Sequence, residues 1–464
     1  MFCNSITTVT NKILVNQFVK LPHLNLSSIK TRNIYNGSPN QDFLSFVEKD
    51  EDTTKNDGRD KYEDFNNMYV NLFTATSHQN EHISTTNSTK VNNTSSINLL
   101  NKELLDVFEC PDDNNLNQNN GVPLNNTTLT GAELSTIVRS NGKFVLISKS
   151  HDPYYNLSLE DYVFNNTPSP QPLIKTKNPG VAYENQRLMF YINDECCVIG
   201  KNQNPWKELY LGNLKHRGLP FLRRKSGGGA VVHDLGNVNY SFLNSREQFD
   251  KLFFNKLITD TLNKHILSNT ILDPHQKKQE PFFLRLNERG DIIIGEKDSP
   301  FKVSGSAFKI AKNKSYHHGT MLINSDLPRF KNLLKPAHVE GYKWDCNAVE
   351  SVRSQIANLR DYNVLKSTSE FIDMVTKSFQ LLYGKVNVPV YYCGKESTMN
   401  DEISKTMKEL QNEEWKFDKT PKFKFSINKK KTGEKNWVEV KNGIIENSDD
   451  ASKIGLHFNE LYIK

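Results

Sequence analysis

The sequence predicts an α/β (α+β) fold of mixed, largely antiparallel sheets flanked by helices. Two observations lead there. Between 281 and 324 four strand-like runs follow one another: "PFFLRL", "DIIIGE", "FKVSGSAFKIA" and "SYHHGTMLIN". Short turns, "RGD" and "KDSP", separate them, and hairpins between successive strands mean antiparallel pairing rather than a doubly wound alternation. Helical patterns with one apolar face stand on either side: "FDKLFFNKLITDTLNKHI" before, and "SEFIDMVTKSFQLLYG" after, closed by Gly384.

The other elements fall in order. "KFVLISKS", starting at Lys143, reads as a strand, and "YYNLSLEDYVFNN" as a helix carrying Leu157, Leu159 and Val163. "RLMFYIND" and "CCVIGK" read as two strands with a turn between them. "LYLGNLKHRG" reads as a helix closed by Gly218, and "NVNYSFL" as a strand. Residues 141–390 are expected to form the main domain. Residues 391–464, with a polar helix "EISKTMKELQNEEW" and strands "KFKFSINKK" and "NWVEVKNG", form a small C-terminal accessory domain.

Upstream, the chain changes character. Before Asp42 there is no acidic residue, while Lys12, Lys20, Lys30 and Arg32 are spread among hydroxyl and apolar side chains. Leu14, Phe18 and Val19 share a helical face before Pro22. That is the composition of a mitochondrial transit segment over 1–40, with matrix residence expected and a cytoplasmic protein with an acid-free tail as the alternative. Residues 41–140 are polar and Asn-rich, as in "DDNNLNQNNGVPLNNTT", and bury too little apolar surface to order themselves. A short helix is expected there at "INLLNKELLDVF".

Composition limits the function classes. With 59 basic and 53 acidic residues, the net charge is +6, with no basic stripe to argue for nucleic acid. No run approaches the roughly 18 apolar residues of a membrane span. The 6 cysteines lack C-x-x-C spacing, which fits free thiols in a reducing compartment.

Two stretches carry chemistry. In "FLRRKSGGGAVVHDLGNVNYSF", Gly227, Gly228 and Gly229 follow Arg223, Arg224 and Lys225. Glycine triplets are entropically costly, and their N–H groups can converge on an anion. Neither common nucleotide-loop pattern is matched, so a bulged hairpin turn with incidental cations explains the same residues. In "FKVSGSAFKIAKNKSYHHGTML", Lys302 and Ser304 would share one face of a strand beside Gly305. Small residues beside a lysine leave a narrow slot suited to a slender ligand with an anionic head. Asp291, eleven residues upstream, is brought near Lys302 by a hairpin and, beside phosphates, suits Mg²⁺.

Six stretches together resemble a family. "NLSLED", "CCVIGKNQNPWKE", "RRKSGGGAVVHDLGNVNYSF", "RGDIIIGEKDSPFKVSGSAFK", "HHGTMLINSDL" and "VESVRSQIANL" run in order from about 143 to 385. They resemble the lipoate–protein ligase A family, fold relatives of biotin protein ligases, and a fungal mitochondrial member of it. The resemblance implies ATP-dependent activation of lipoate or octanoate to an acyl-adenylate. The acyl group then passes to a lysine of apo lipoyl-domain proteins, the glycine cleavage H protein and the E2 subunits of 2-oxo acid dehydrogenases. It assigns Arg224 and Gly229, Ala230, Val231 and Val232 to ATP or the adenylate, and Lys302 to catalysis and to gripping both substrates. Ser226, Gly227, Gly228, His233, Ser304 and Gly305 go to the lipoate pocket. Asp291 falls at the metal-associated aspartate of an R-N-D pattern that here reads Arg289-Gly290-Asp291.

Two rivals remain. Relatives of this fold transfer acyl groups from CoA or a carrier without ATP, often through a cysteine. The family's larger C-terminal domain is expected here in shortened form, which keeps that reading open. A non-catalytic lipoyl-domain-binding protein is the other. Several residues are expected to carry no chemistry. His317 and His318, adjacent on a strand, face opposite ways and do not suit zinc. His233-Asp234 reads as a hydrogen-bonded turn, Trp206 as packing, and Cys196 and Cys197 as core; Cys346 is expected to be dispensable.

Overall fold

The computed structural model describes residues 128–169, 184–272, 282–335, 339, 341–384, 387–428 and 435–462. The transit-like segment, most of the Asn-rich segment and the helix expected at 97–108 lie outside them. Order begins earlier than Lys143. A helix over Gly131–Arg139 falls inside the segment read as linker, opened by a capping box in which Thr130 and Glu133 bond each other's backbone N–H, and it buries Leu134 and Val138. The "TGAE" signature was legible in the sequence.

The strands, in chain order, are β1 Phe144–Ser148, β2 Arg187–Tyr191, β3 Cys196–Ile199, β4 Phe221–Arg223, β5 Val231–His233, β6 Asn237–Ser245, β7 Arg285–Leu286, β8 Ile292–Ile294, β9 Phe301–Lys302, β10 Ser306–Ala311, β11 Lys314–Leu322, β12 Tyr342–Cys346, β13 Val390–Cys393, β14 Phe423–Asn428, β15 Lys435–Lys441 and β16 Ile444–Ser448. A 6-stranded sheet runs β10-β11-β6-β2-β1-β13; two 3-stranded sheets run β4-β3-β5 and β7-β8-β9; a 4-stranded sheet runs β12-β14-β15-β16. Most pairs are antiparallel; β1 pairs in parallel with β2 and β13, and β3 with β4.

Alternation along the central strands feeds two cores. Val145, Leu188, Phe190, Val238, Tyr240 and Phe242 pack with helices Phe253–Leu272 and Thr368–Leu381 on one face. Phe144, Leu146 and Met189 point to the other face, against Leu159, Tyr162 and Val163 of helix Pro153–Asn166. Successive side chains of a strand face opposite ways, so strands covered on both sides read as continuous apolar runs. Asp152 starts the Pro153 helix by accepting hydrogen bonds from the N–H of Tyr154 and Tyr155.

Two expectations change. The strands "RLMFYIND" and "CCVIGK" do not join across a turn: β2 already lies between β1 and β6, so β3 pairs with β4 and β5 instead. "FKVSGSAFKIA" is two strands, not one. The chain leaves β9 at Val303, whose N–H donates to Ile292 O and whose C=O accepts from Leu322 N–H, and enters the large sheet as β10.

The C-terminal segment is woven into the body. Its helix Asp401–Gln411 buries Ile403 and Met407 in the same core as the Pro153 helix. Its strand β14 pairs with β12, and Phe417, Phe423, Phe425, Val440 and Phe458 enclose Trp206 together with Cys197, Leu209 and Phe221.

Candidate active site

The glycine stretch links β4 to β5, both paired with β3. Arg224 sits beneath it, 5% exposed. Its guanidinium donates to Gly227 O at 2.5 Å, Gly229 O at 2.8 Å, Ser226 Oγ at 3.0 Å and Val198 O at 3.3 Å. Burial lowers its pKa to about 10, so it stays a cation at neutral pH. Gly228 has φ +84, and a Cβ there would meet Arg224 Nη2 and Ala307 Cβ, each at 2.9 Å. A Cβ on Gly229 would press on Ser351 at 3.2–3.3 Å, while one on Gly227 would meet nothing within 4 Å. Gly228 is thus required by packing around a buried arginine, while Gly229 lies tight against Ser351. Ala230 N–H is also committed, to Ser351 Oγ at 2.8 Å.

Facing this turn is the hairpin expected from the sequence. Lys302 Nζ lies 3.0 Å from Asp291 Oδ1, with side-chain exposures of 21% and 10%. Asn287 accepts from Asp291 N–H at 2.9 Å through its Oδ1. Gly290, where the family pattern has asparagine, has φ +81, and a Cβ there would strike Leu252 Cδ2 at 2.6 Å. The departure from R-N-D therefore suits this turn.

Between the two walls lies a cleft open to solvent, with an interior volume of about 150 Å³. Of the residues singled out in the sequence, Arg224, Gly228, Gly229, Ala230, Val231, His233, Asp291, Lys302 and Gly305 line it. Ser226, Gly227, Val232 and Ser304 do not. Ser226 is turned inward, to Arg224 and His318, and Ser304 is 1% exposed with its Oγ 3.2 Å from Tyr240 Oη. The alternation argument for Ser304 fails because the strand ends at Lys302.

The sequence reading missed several wall residues: Leu157, Tyr191, Asn239, Arg289, Thr320 and the segment Val349 to Val352. It also missed a buried chain of polar groups. Glu160 Oε1 and Oε2 lie 2.9 and 3.0 Å from His318 Nδ1, and His318 Nε2 lies 2.7 Å from Ser226 Oγ. "NLSLED" and "HHGT" contain both ends of it, but not their meeting. His317 points the other way, to Phe308 and Tyr240, with both ring nitrogens unpaired, and burial takes its pKa to about 3.

His233 is also neutral, its pKa pushed to about 3 by burial and then by Arg224 and His318. Its Nδ1 pairs with Asn193 Nδ2 at 2.9 Å, not with Asp234. Asp234 is the turn residue expected, accepting from the N–H of Gly236 and Asp326. Burial raises the thiols of Cys196, Cys197, Cys346 and Cys393. Among the described residues no group of three metal-binding side chains occurs, and no helix is long and apolar enough to cross a membrane. A Mg²⁺ brought in by nucleotide phosphates needs only one or two protein carboxylates, and Asp291 supplies one on the wall.

The site is thus a mixed-sheet cleft with one accessible lysine opposite a rigid glycine turn, shaped for a slender ligand with an anionic head. Comparison with known proteins agrees with that class. The family model "Lipoyl protein ligase A/B catalytic domain" matches residues 152–380. A Saccharomyces cerevisiae protein named "Putative lipoate-protein ligase A" is 41% identical over 410 residues, 87% of this chain and 89% of its own length. The chain belongs to the lipoate–protein ligase A family. Among solved structures, P. falciparum LipL1 in complex with lipoate is 28% identical over 66% of this chain and 83% of its own, with a TM-score of 0.46. A bi-partite lipoate protein ligase from Thermoplasma acidophilum, described with its E2 lipoyl domain, is 20% identical over 59% of this chain and 95% of its own, with a TM-score of 0.42.

Proposed function

We propose that this protein is a lipoate–protein ligase that activates lipoate or octanoate with MgATP and transfers the acyl group to a lysine of an apo lipoyl domain. The observation that carries the reading is Lys302 facing the Arg224-held glycine turn across one cleft, in a chain 41% identical to a relative of that name. In the first step a carboxylate oxygen attacks the α-phosphorus of ATP, and pyrophosphate leaves. Two anions must approach, so a preorganised ammonium at Lys302 and the nearby charge of Arg224 lower the barrier. In the second step an acceptor lysine amine attacks the acyl carbonyl, a proton is lost and AMP leaves. That step needs positioning more than an enzyme nucleophile.

The thiols of the four described cysteines are raised by burial, which favours this route over a thioester one. The acceptors in this reading are the glycine cleavage H protein and the E2 subunits of 2-oxo acid dehydrogenases. The setting is the mitochondrial matrix, supported by the acid-free basic stretch before Asp42. A reporter fused to residues 1–40 that stays cytosolic contradicts the location.

The decisive experiment incubates purified protein and an apo lipoyl domain with lipoate plus MgATP, and separately with octanoyl-CoA, and reads the acceptor's mass. Modification only with the acid and MgATP is expected. Modification only from octanoyl-CoA establishes the acyltransferase instead, and no modification by folded protein leaves a binding role.

A further inference from the structure

We infer that Glu208, which lies outside the cleft, is a positioning residue that fixes the distance between the glycine turn and Lys302. This rests on the reading above. Glu208 closes a short helix, Pro205–Glu208, and its side chain is only 4% exposed. Its bonds are made to one segment. Its carboxylate accepts from Ser351 N–H at 3.2 Å, Ser351 Oγ–H at 2.6 Å and Arg353 Nη2 at 3.0 Å.

A carboxylate only accepts, so the Ser351 hydroxyl proton must point at Glu208. The Ser351 oxygen is thereby left as an acceptor, and it takes Ala230 N–H at 2.8 Å and Gln203 Nε2 at 3.0 Å. The Ala230 bond ties the segment to the end of the glycine turn. Four residues further on, the same segment holds the lysine strand: Lys302 N–H donates to Gln355 O at 2.8 Å, and Ala357 N–H donates to Lys302 O at 3.2 Å. One strap therefore touches both walls; Asn202, Gln203 and Lys207 also hold it, and Glu208 is the buried anchor that sets the direction of its central hydrogen bond.

Glu208→Gln keeps the shape but sets an amide N–H against either the Ser351 N–H or the Ser351 hydroxyl, so one of the bonds that hold Ser351 must break or turn. Ser351→Ala removes the same link without touching the core. The measurement is lipoate-dependent ATP–pyrophosphate exchange, with kcat and the KM for lipoate determined separately, alongside thermal unfolding. We expect kcat to fall about 10- to 100-fold in both variants, the range a small misplacement of reacting groups produces. In Glu208→Gln the KM for lipoate should stay within about twofold, since no side chain lining the cleft is changed. Wild-type kcat in a folded Glu208→Gln protein overturns the inference. So does a KM for lipoate that rises in proportion as kcat falls. Should Glu208→Gln not fold, Ser351→Ala, itself a change on the cleft wall, decides by kcat alone, and a wild-type kcat overturns the inference. A wild-type protein without exchange activity would instead sink the ligase reading itself.

Discussion

The two walls of the cleft are built on opposite plans. On one, Arg224 is buried and its bonds run to the loop it supports, Gly228 is pinned by a positive φ and two close neighbours, and Ala230 N–H is engaged. On the other, Lys302 is 21% exposed and holds a single carboxylate, Asp291. The first wall is a fixed template. The second is a charge that can exchange one anion for another when substrates arrive. The arginine's cost of burial is met by hydrogen bonds within the loop, whereas the lysine's partner is one a ligand carboxylate or phosphate can replace.

The largest effect should come from the exchangeable wall. Lys302→Ala should lower acceptor modification by about two or more orders of magnitude, as loss of a charge-stabilising group does. Its melting temperature should fall as well, since Asp291, only 10% exposed, loses its cation, and breaking a buried pair costs up to about 3–5 kcal/mol. Lys302→Arg should restore little, because a planar fork does not replace a compact ammonium beside Gly305. Mass-shift assays at saturating lipoate and MgATP compare the three; near-wild-type turnover in the alanine protein would blur the contrast between the walls.

The fixed wall should fail differently, through structure. Gly228→Ala should cost about 1–3 kcal/mol in urea unfolding, the range for a strained left-handed residue, and should lose activity by displacing Arg224. Gly227→Ala, with open space at its Cβ, should stay within about 1 kcal/mol of wild type. Equal costs at the two positions would mean the turn is not a template.

Acid should act next through two buried histidines, His233 on the cleft wall and His317 facing away from it. His233 and His317 are held near pKa 3 when folded against 6.5 unfolded, so the unfolded chain binds more protons between those values. Their contribution is complete above about pH 6.5 and is lost as pH falls toward about 3. The slope is at most about 1.4 kcal/mol per pH unit for each. Urea midpoints at pH 7 and pH 5 measure it. His317→Leu should flatten the slope by its own share, and an unchanged slope would remove His317 from this role.

Cys346→Ser should be the mildest change. Burial raises this thiol, with hydrogen bonds from Ala348 and Asn204 acting in the opposite sense. Acyl transfer within about twofold of wild type is expected, since a protonated thiol is a poor nucleophile. A larger loss from octanoyl-CoA would reopen the thioester route.

Local signals decided what could be read in advance. The central strands, the long helices and the Asp291–Lys302 hairpin follow from runs and turns a few residues long, and they stand in the structure. Ser304 was misplaced because nothing local announces that a strand ends and changes sheet at Val303. Glu160 and His318 meet across a separation of 158 residues, and Glu208 and Ser351 across 143. No periodicity encodes such pairs. The fixed wall was the harder to read for this reason: its parts come from distant segments, whereas the lysine wall is one hairpin.

Arg223, the neighbour of Arg224, gives the site a timetable. It is fully buried, and donates to Trp415 O, Lys416 O and Thr420 Oγ1 as well as to Lys201 O and Gln203 O, while Trp415 Nε1 donates back to Arg223 O. Trp415, Lys416 and Thr420 lie 192, 193 and 197 residues further along the chain. At about 5–20 residues per second, a ribosome needs on the order of 10–40 s to make them after Arg223 has been joined. During that interval the arginine has the carbonyls of Lys201 and Gln203 but not those of Trp415 and Lys416, and half of its cage is missing. The nascent chain is thus an incomplete catalyst until residues 415–420 have emerged.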